Sequence, residues 1–148
     1  KVHGLTSLED LRLCTNLEEI RFTTSSFRII KDLTALADCQ RLWIYLDMED
    51  LNGVPDDVIA MLSSLPACRL RLDNYQKLNL SNLVSLANLK ALDLDSYVRV
   101  TKEELLPVMG MNALEYLQFP ASSLPELGGC TFNTPGKIAK LKLTLMMS

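Results

Sequence analysis

The sequence predicts an α/β fold in which short parallel strands lie side by side and each is joined to the next by a helix or a turn. Three observations lead to this fold class. Apolar-polar-apolar triplets recur along the chain, apolar residues precede several of them at intervals of three, and helix-start signals lie between them. The triplets recur about every 24 residues, a period typical of repeat proteins whose turns stack into a solenoid.

Six segments share the apolar pattern and are predicted to be the strands. They are 17–22, 42–46, 70–72, 89–94, 114–119 and 138–143. The first residue of each apolar pair stands at position 20, 44, 70, 92, 117 or 141, so the steps are 24, 26, 22, 25 and 24. Alternate side chains of a strand point to the same face, so both members of a pair face one side. A single turn cannot bury that side alone, and stacked neighbours have to cover it.

The segments between the strands are predicted to return along the opposite side. Apolar residues recur every third position at 83, 86, 89 and 92, and again at 108, 111, 114 and 117. The segment 55–62 begins with a proline and two acids, which is typical of a helix N-terminus. Thr101 and Glu104 have the spacing of a capping box and predict a helix there. The segments 32–37 and 81–86 are short enough to be single turns.

This repeated spacing resembles that of the leucine-rich-repeat family over residues 5–145. The resemblance implies a horseshoe segment, with parallel strands on the concave face, helices or turns on the convex face, and partners bound on the concave face. One feature departs from the family pattern, which places Asn or Cys three residues after the second strand leucine. The residues at those positions are Ser25, Glu49, Tyr75, Tyr97 and Ser122. An asparagine ladder is therefore not expected.

We expect a single domain of about six repeats over residues 1–148. The chain opens inside a repeat-like phrase, with leucines at 5, 8 and 11, and closes on the apolar stretch 143–147. Solenoids usually need polar capping repeats at their ends. The sequence therefore predicts a fragment, or an uncapped segment of a larger protein that associates through its ends.

The side chains that alternate with the strand leucines are predicted to form a partner-binding surface on the concave face. The candidates are Arg21, Trp43, Tyr45, Arg69, Arg71, Asp93, Tyr116 and Gln118. Trp, Tyr and Arg are the residue types that dominate binding hot spots. A second arrangement stays open, because a one-residue slip in the second repeat would place Trp43 and Tyr45 in the core.

A column of aspartates follows the second strand leucine in three consecutive repeats, with a further aspartate beside it. The column is Asp47, Asp73 and Asp95, and the neighbour is Asp93. Adjacent strands lie about 4.8 Å apart, so these carboxylates repel one another unless they are compensated. Arg69, Arg71 or Arg99 could neutralise them, solvent could screen them, or a hard cation could bridge them. The sequence favours neutralisation or solvation, and no metal site is predicted.

Composition excludes several classes of function. The chain has 148 residues, 48% hydrophobic and 22% charged, with a net charge of −3, so it has no general electrostatic attraction to nucleic acid. No apolar run reaches the roughly 18 residues of a membrane span. His3 is the single histidine and no phosphate-binding glycine loop is present. We expect neither an enzyme nor a cofactor.

The cysteines at 14, 39, 68 and 130 lack the paired spacing of a zinc site. They are interpreted as buried free thiols, three of them in apolar positions of the repeat. A disulfide between Cys14 and Cys39 stays open, because both stand three residues before a strand segment of adjacent repeats. Free thiols favour an intracellular, cytoplasmic protein.

The function predicted from these features is binding of a protein partner through the concave strand face. An alternative is a structural subunit that a larger assembly contacts through its ends and convex side. A further alternative is the substrate-recognition part of a ubiquitin-ligase adaptor, although the sequence contains no F-box-like segment.

Overall fold

The chain forms an α/β fold with one six-stranded parallel sheet in a computed structural model. The structure describes residues 7–47, 53–73, 79–94, 100–120 and 123, and the backbone of 140–144. The strands are β1 (Glu19–Thr23), β2 (Trp43–Asp47), β3 (Cys68–Asp73), β4 (Leu89–Asp93), β5 (Tyr116–Pro120) and β6 (Lys140–Thr144). They lie in chain order from β1 to β6, so each strand pairs with its neighbours in sequence.

The strands pair in the register that the repeated apolar positions of the sequence predict. Ile20 pairs with Ile44, which pairs with Leu70. The same register continues through Leu92 and Leu117 to position 141. All six strand predictions are confirmed, with ends that differ by at most two residues from those of the apolar pattern.

Among the described residues, two helices and four 3₁₀ turns lie in the segments between or before the strands. The helices are α1 (Asp56–Ser63) and α2 (Lys102–Met109), and the 3₁₀ turns are Glu9–Leu11, Thr24–Arg28, Thr34–Leu36 and Ser81–Ser85. Pro55 stands at the N-terminus of α1, as predicted. The capping box is present at α2, where the Glu104 amide donates to Thr101 Oγ1 and the Thr101 amide donates to the Glu104 carboxylate, both at 3.4 Å.

The core lies between the sheet and these return segments. Both predicted apolar positions of each strand from β1 to β5 are buried, from Ile20 and Phe22 to Leu117 and Phe119. The apolar residues spaced by three before β4 and β5 are buried as well. Each such side chain contributes about 1.5–3 kcal/mol to folding when it is withdrawn from water. The packing of these apolar side chains between the sheet and the return segments therefore holds the chain together.

Candidate functional site

The strand positions that alternate with the buried apolar pairs form two rows across one side of the sheet, which we call the open face. The register places Glu19, Trp43, Arg69, Ala91, Tyr116 and Lys140 in the first row. It places Arg21, Tyr45, Arg71, Asp93, Gln118 and Lys142 in the second row. The predicted site residues thus fall on neighbouring strands of one surface.

Trp43 lies on the open face and not in the core. Trp43 and Tyr45 are half-buried, whereas Ile44 and Leu46, which alternate with them along β2, are buried. The one-residue slip that would exchange the faces is therefore absent from β2. The alternation is regular because Ile44 and Leu46 fill the same interior layers as the equivalent residues of β1 and β3.

Trp43 contacts Tyr116 across the open face. The ring centroids are 5.7 Å apart and the rings meet edge to face, at 77°. The strands of these residues, β2 and β5, are three steps apart, which is about 14 Å in a flat sheet. The register places Ala91, which is 3% exposed, on β4 between these two strands, and its small side chain leaves space for the rings to meet. A sheet that curves toward the open face makes such a contact possible.

Arg69 leaves room for this contact because its side chain turns away from the rings. Its guanidinium donates to the carbonyl of Gln40, in the loop before β2. A polar cavity of about 470 Å³ opens in the same loop region. The residues that line the cavity are Thr15, Asn16, Glu18, Asp38, Gln40 and Arg41.

Tyr45 is held between two arginines of the adjacent strands. The guanidinium carbons of Arg21 and Arg71 lie 5.3 and 5.1 Å from the centre of the Tyr45 ring. Both arginines also contact Asp73, through Arg21 Nη2 at 3.4 Å and Arg71 Nε at 3.1 Å. The combination of cation–π contacts and charge-assisted hydrogen bonds fixes the ring in place.

The aspartates near the ends of β3 and β4 are compensated by arginine. Asp73 contacts Arg21 and Arg71, and Asp93 Oδ2 lies 3.9 Å from Arg71 Nε. Burial lowers the pKa of Arg71, but the Tyr45 hydroxyl and the two carboxylates raise it by more, so it lies above its usual value. No group of three acidic, His or Cys side chains suited to a metal ion occurs among the described residues. Asp95 and Arg99 lie outside the described residues.

The expectation that Gln118 is exposed is wrong. Gln118 is only 6% exposed, and the hydroxyl of Tyr116 lies 2.6 Å from its amide oxygen. Tyr116 and Gln118 stand two residues apart on the same face of β5, so the Tyr116 side chain helps to cover Gln118. The other seven predicted residues, from Arg21 to Tyr116, are half-buried with part of each accessible to a partner.

Polar bonds between successive turns are the feature that sequence reasoning missed. Asn88 Nδ2 donates to the carbonyls of Leu62 and Leu65, at 2.9 and 2.7 Å, and Asn82 Nδ2 donates to that of Val54. These asparagines precede β4, whereas an asparagine ladder would be sought after the strand. The signal in the sequence that could have indicated these bonds is Asn88, directly before the strand leucine Leu89.

The three described cysteines are free thiols. Cys39 and Cys68 are buried as predicted, and burial raises the pKa of Cys68 to about 12. Cys14 is exposed, so the interpretation of this residue as buried is wrong. It lies beside β1, which has a strand neighbour on one side only among the described residues, so little packs over it. Cys130 lies outside the described residues.

In the part of the chain that the structure describes, no helix has the length and apolar character needed to cross a lipid bilayer. No family model matches the chain, and neither curated proteins nor solved structures give a match.

Proposed function

We propose that the chain is a segment of a leucine-rich-repeat solenoid and that it binds a protein partner through the open face. The solenoid assignment is supported by parallel strands in chain order, by apolar positions that stay paired from Ile20 to position 141, with one register shift at Cys68 and Arg69, and by a sequence period of about 24 residues. A helix or 3₁₀ turn lies between consecutive strands from β1 to β5, as expected for turns that return on the convex side.

The observation that carries the binding proposal is the ordered aromatic and arginine cluster on the open face. Trp43 and Tyr116 brace each other, and Tyr45 is fixed between Arg21 and Arg71. Side chains that are already ordered lose little rotamer entropy when a partner binds, so more of the contact energy appears as affinity. Aromatic and arginine side chains also provide the largest share of binding energy at protein interfaces.

The cluster is close to electrically neutral, which favours a protein partner over nucleic acid. Two arginines, Arg21 and Arg71, face the carboxylates of Asp73 and Asp93. A nucleic-acid surface gains most of its affinity from uncompensated Lys and Arg against phosphates. A protein partner gains instead from the apolar area of the rings and from hydrogen bonds at their edges.

The test is affinity capture of partners from native lysate, followed by affinity measurement with the partner that mass spectrometry identifies. Trp43→Ala and Tyr116→Ala should each weaken binding about 30-fold or more, the loss typical of a hot-spot residue. The matched control is Leu106→Ala, which truncates an exposed apolar side chain of α2, outside the open face. Equal binding by all three variants, with unchanged circular dichroism, would contradict the proposal.

A second candidate, a structural subunit of a larger assembly, is favoured by apolar side chains around β1. Leu13 is 91% exposed and Ile29 is 55% exposed, and they precede and follow β1, which is terminal among the described strands. Light scattering distinguishes the two. Self-association that Leu13→Ser and Ile29→Ser abolish would support the subunit, and a monomer at high concentration would contradict assembly through copies of this chain.

We place this function in an intracellular compartment. The support is that the described cysteines are free thiols, which reducing compartments maintain. Localisation of a tagged full-length protein tests the placement, and secretion into the medium would contradict it.

A further inference from the structure

Cys14 and Cys39 occupy equivalent positions in two successive turns. The amide of each cysteine donates to the carbonyl three residues before it, and its carbonyl accepts from the amide three residues after it, at 2.8–3.3 Å. The strands that follow them, β1 and β2, are direct neighbours in the sheet. Neighbouring strands are spaced by about 4.8 Å, which falls within the Cα separation of about 4.4–6.8 Å that a disulfide spans.

The Cys39 thiol already lies against the backbone of Cys14. Its Sγ atom donates to the Cys14 carbonyl oxygen at 3.3 Å. Cys14 is exposed, and Cys39 is buried. A reagent in solution therefore reaches Cys14 directly, whereas Cys39 is reached through Cys14.

We propose that Cys14 and Cys39 form a redox-active dithiol site that a low-molecular-weight disulfide, such as glutathione disulfide, converts into a cross-link between the first two turns. The Cys14 thiolate attacks the reagent, its sulfur–sulfur bond breaks, and one glutathione leaves as a thiolate. The Cys39 thiolate then attacks the Cys14 sulfur and displaces the second glutathione. Two protein thiols are oxidised, one glutathione disulfide is reduced, and the two protons end on the two released glutathiones.

The position of this site at the end of the sheet gives the cross-link a structural consequence. Among the described strands β1 is terminal, with β2 on one side only. A terminal strand opens more readily than strands paired on both sides. A covalent bond from its turn to the next one restrains that opening and keeps Arg21 beside Tyr45 on the open face.

Cys68 provides an internal negative control. It is buried, and burial raises its pKa to about 12, so it carries almost no thiolate at neutral pH. Burial, the Cys14 thiol and the Asp38 carboxylate also raise the pKa of Cys39. The second step, which needs the Cys39 thiolate, should therefore accelerate as the pH rises from 7 to 9.

The test uses the full chain, incubated with glutathione disulfide, alkylated and digested with trypsin. The four cysteines fall in four different tryptic peptides, 13–21, 32–41, 42–69 and 103–137, so each linkage can be assigned without ambiguity. We expect the peptide 13–21 linked to 32–41 with the loss of two hydrogens, reversal by dithiothreitol, and alkylated Cys68.

Thermal unfolding supplies the second measurement. The cross-linked protein should melt about 5–10 °C higher than the reduced protein, because the bond closes a loop of intermediate length. Cys14→Ser, a change at an exposed position, should retain the reduced melting temperature and lose the increase. Cys14 bound only to glutathione, Cys14 linked to a second chain, or no reaction at Cys39 would each overturn the proposal.

Discussion

The two faces of the sheet differ in how much each strand resembles the next. On the buried face, the paired positions 20, 44, 70, 92 and 117 are Ile, Ile, Leu, Leu and Leu. On the open face, the first row has in the same strands Glu, Trp, Arg, Ala and Tyr. The buried face is repetitive because every strand packs its apolar side chains against the same kind of apolar layer. The open face has no such common requirement, so its differences from strand to strand are where a specific function is to be sought.

The largest effect is expected from a truncation on the buried face. Leu92→Ala removes a fully buried side chain from the middle of the sheet and should destabilise the protein by about 3 kcal/mol. Leu106→Ala makes the same chemical change at an exposed site and should cost less than about 1 kcal/mol. Urea denaturation of both variants measures the difference, and equal costs would show that the stacked leucines are not the source of stability.

The contrast between the faces also explains how much the sequence predicts. Repetition made the strands, their register and the burial of their apolar pairs predictable, because each turn confirms the alignment of the others. The capping box at Thr101 and the proline at the start of α1 were predictable because their signals are local.

The open face was predictable only in outline. Which residues belong to the open face follows from the alternation of side chains along each strand. The contact between Trp43 and Tyr116, however, depends on sheet curvature and on the small Ala91 between them. The burial of Gln118 depends in the same way on its environment in the folded sheet. The exposure of Cys14 depends on what packs beside β1. None of these follows from a spacing, since each depends on which groups pack together in the folded chain.

A smaller loss is expected when a polar bond between turns is removed. Asn88→Ala deletes the donor to the carbonyls of Leu62 and Leu65 and leaves them without that partner, at a cost of about 2 kcal/mol. Ser85→Ala, which removes an exposed hydroxyl bonded to the Asn82 carbonyl, is the control and should cost less than about 1 kcal/mol. Urea midpoints measure both. If Asn88→Ala is no worse than Ser85→Ala, the cross-turn bonds do not contribute to stability.

Enlarging Ala91, a small buried residue of the open face, should separate the two aromatic rings. Ala91→Leu places a larger side chain between Trp43 and Tyr116 and should cost about 1 kcal/mol through overpacking. Partner binding should weaken by more than this stability change explains, because the rings no longer present one surface. Ala91→Gly keeps the space open and should leave the ring contact, read by near-UV circular dichroism, unchanged. If both variants lose the near-UV signal of the rings, the loss comes from a change in the β4 backbone and not from the size of the side chain at position 91.

A similarly small effect on stability, and the most direct view of the open face, comes from Tyr116→Ala. Trp43 is the only tryptophan, so its fluorescence reports on the open face alone. Without the Tyr116 ring, one side of the indole gains access to water, and its emission should shift to longer wavelength with stronger quenching by acrylamide. Stability should fall by only about 0.5–1.5 kcal/mol, the usual strength of an aromatic pair. Leu106→Ala should leave the emission unchanged. An unaltered spectrum in Tyr116→Ala would mean that the rings do not meet in solution, and the open face would then present separate aromatic residues in place of one ordered cluster.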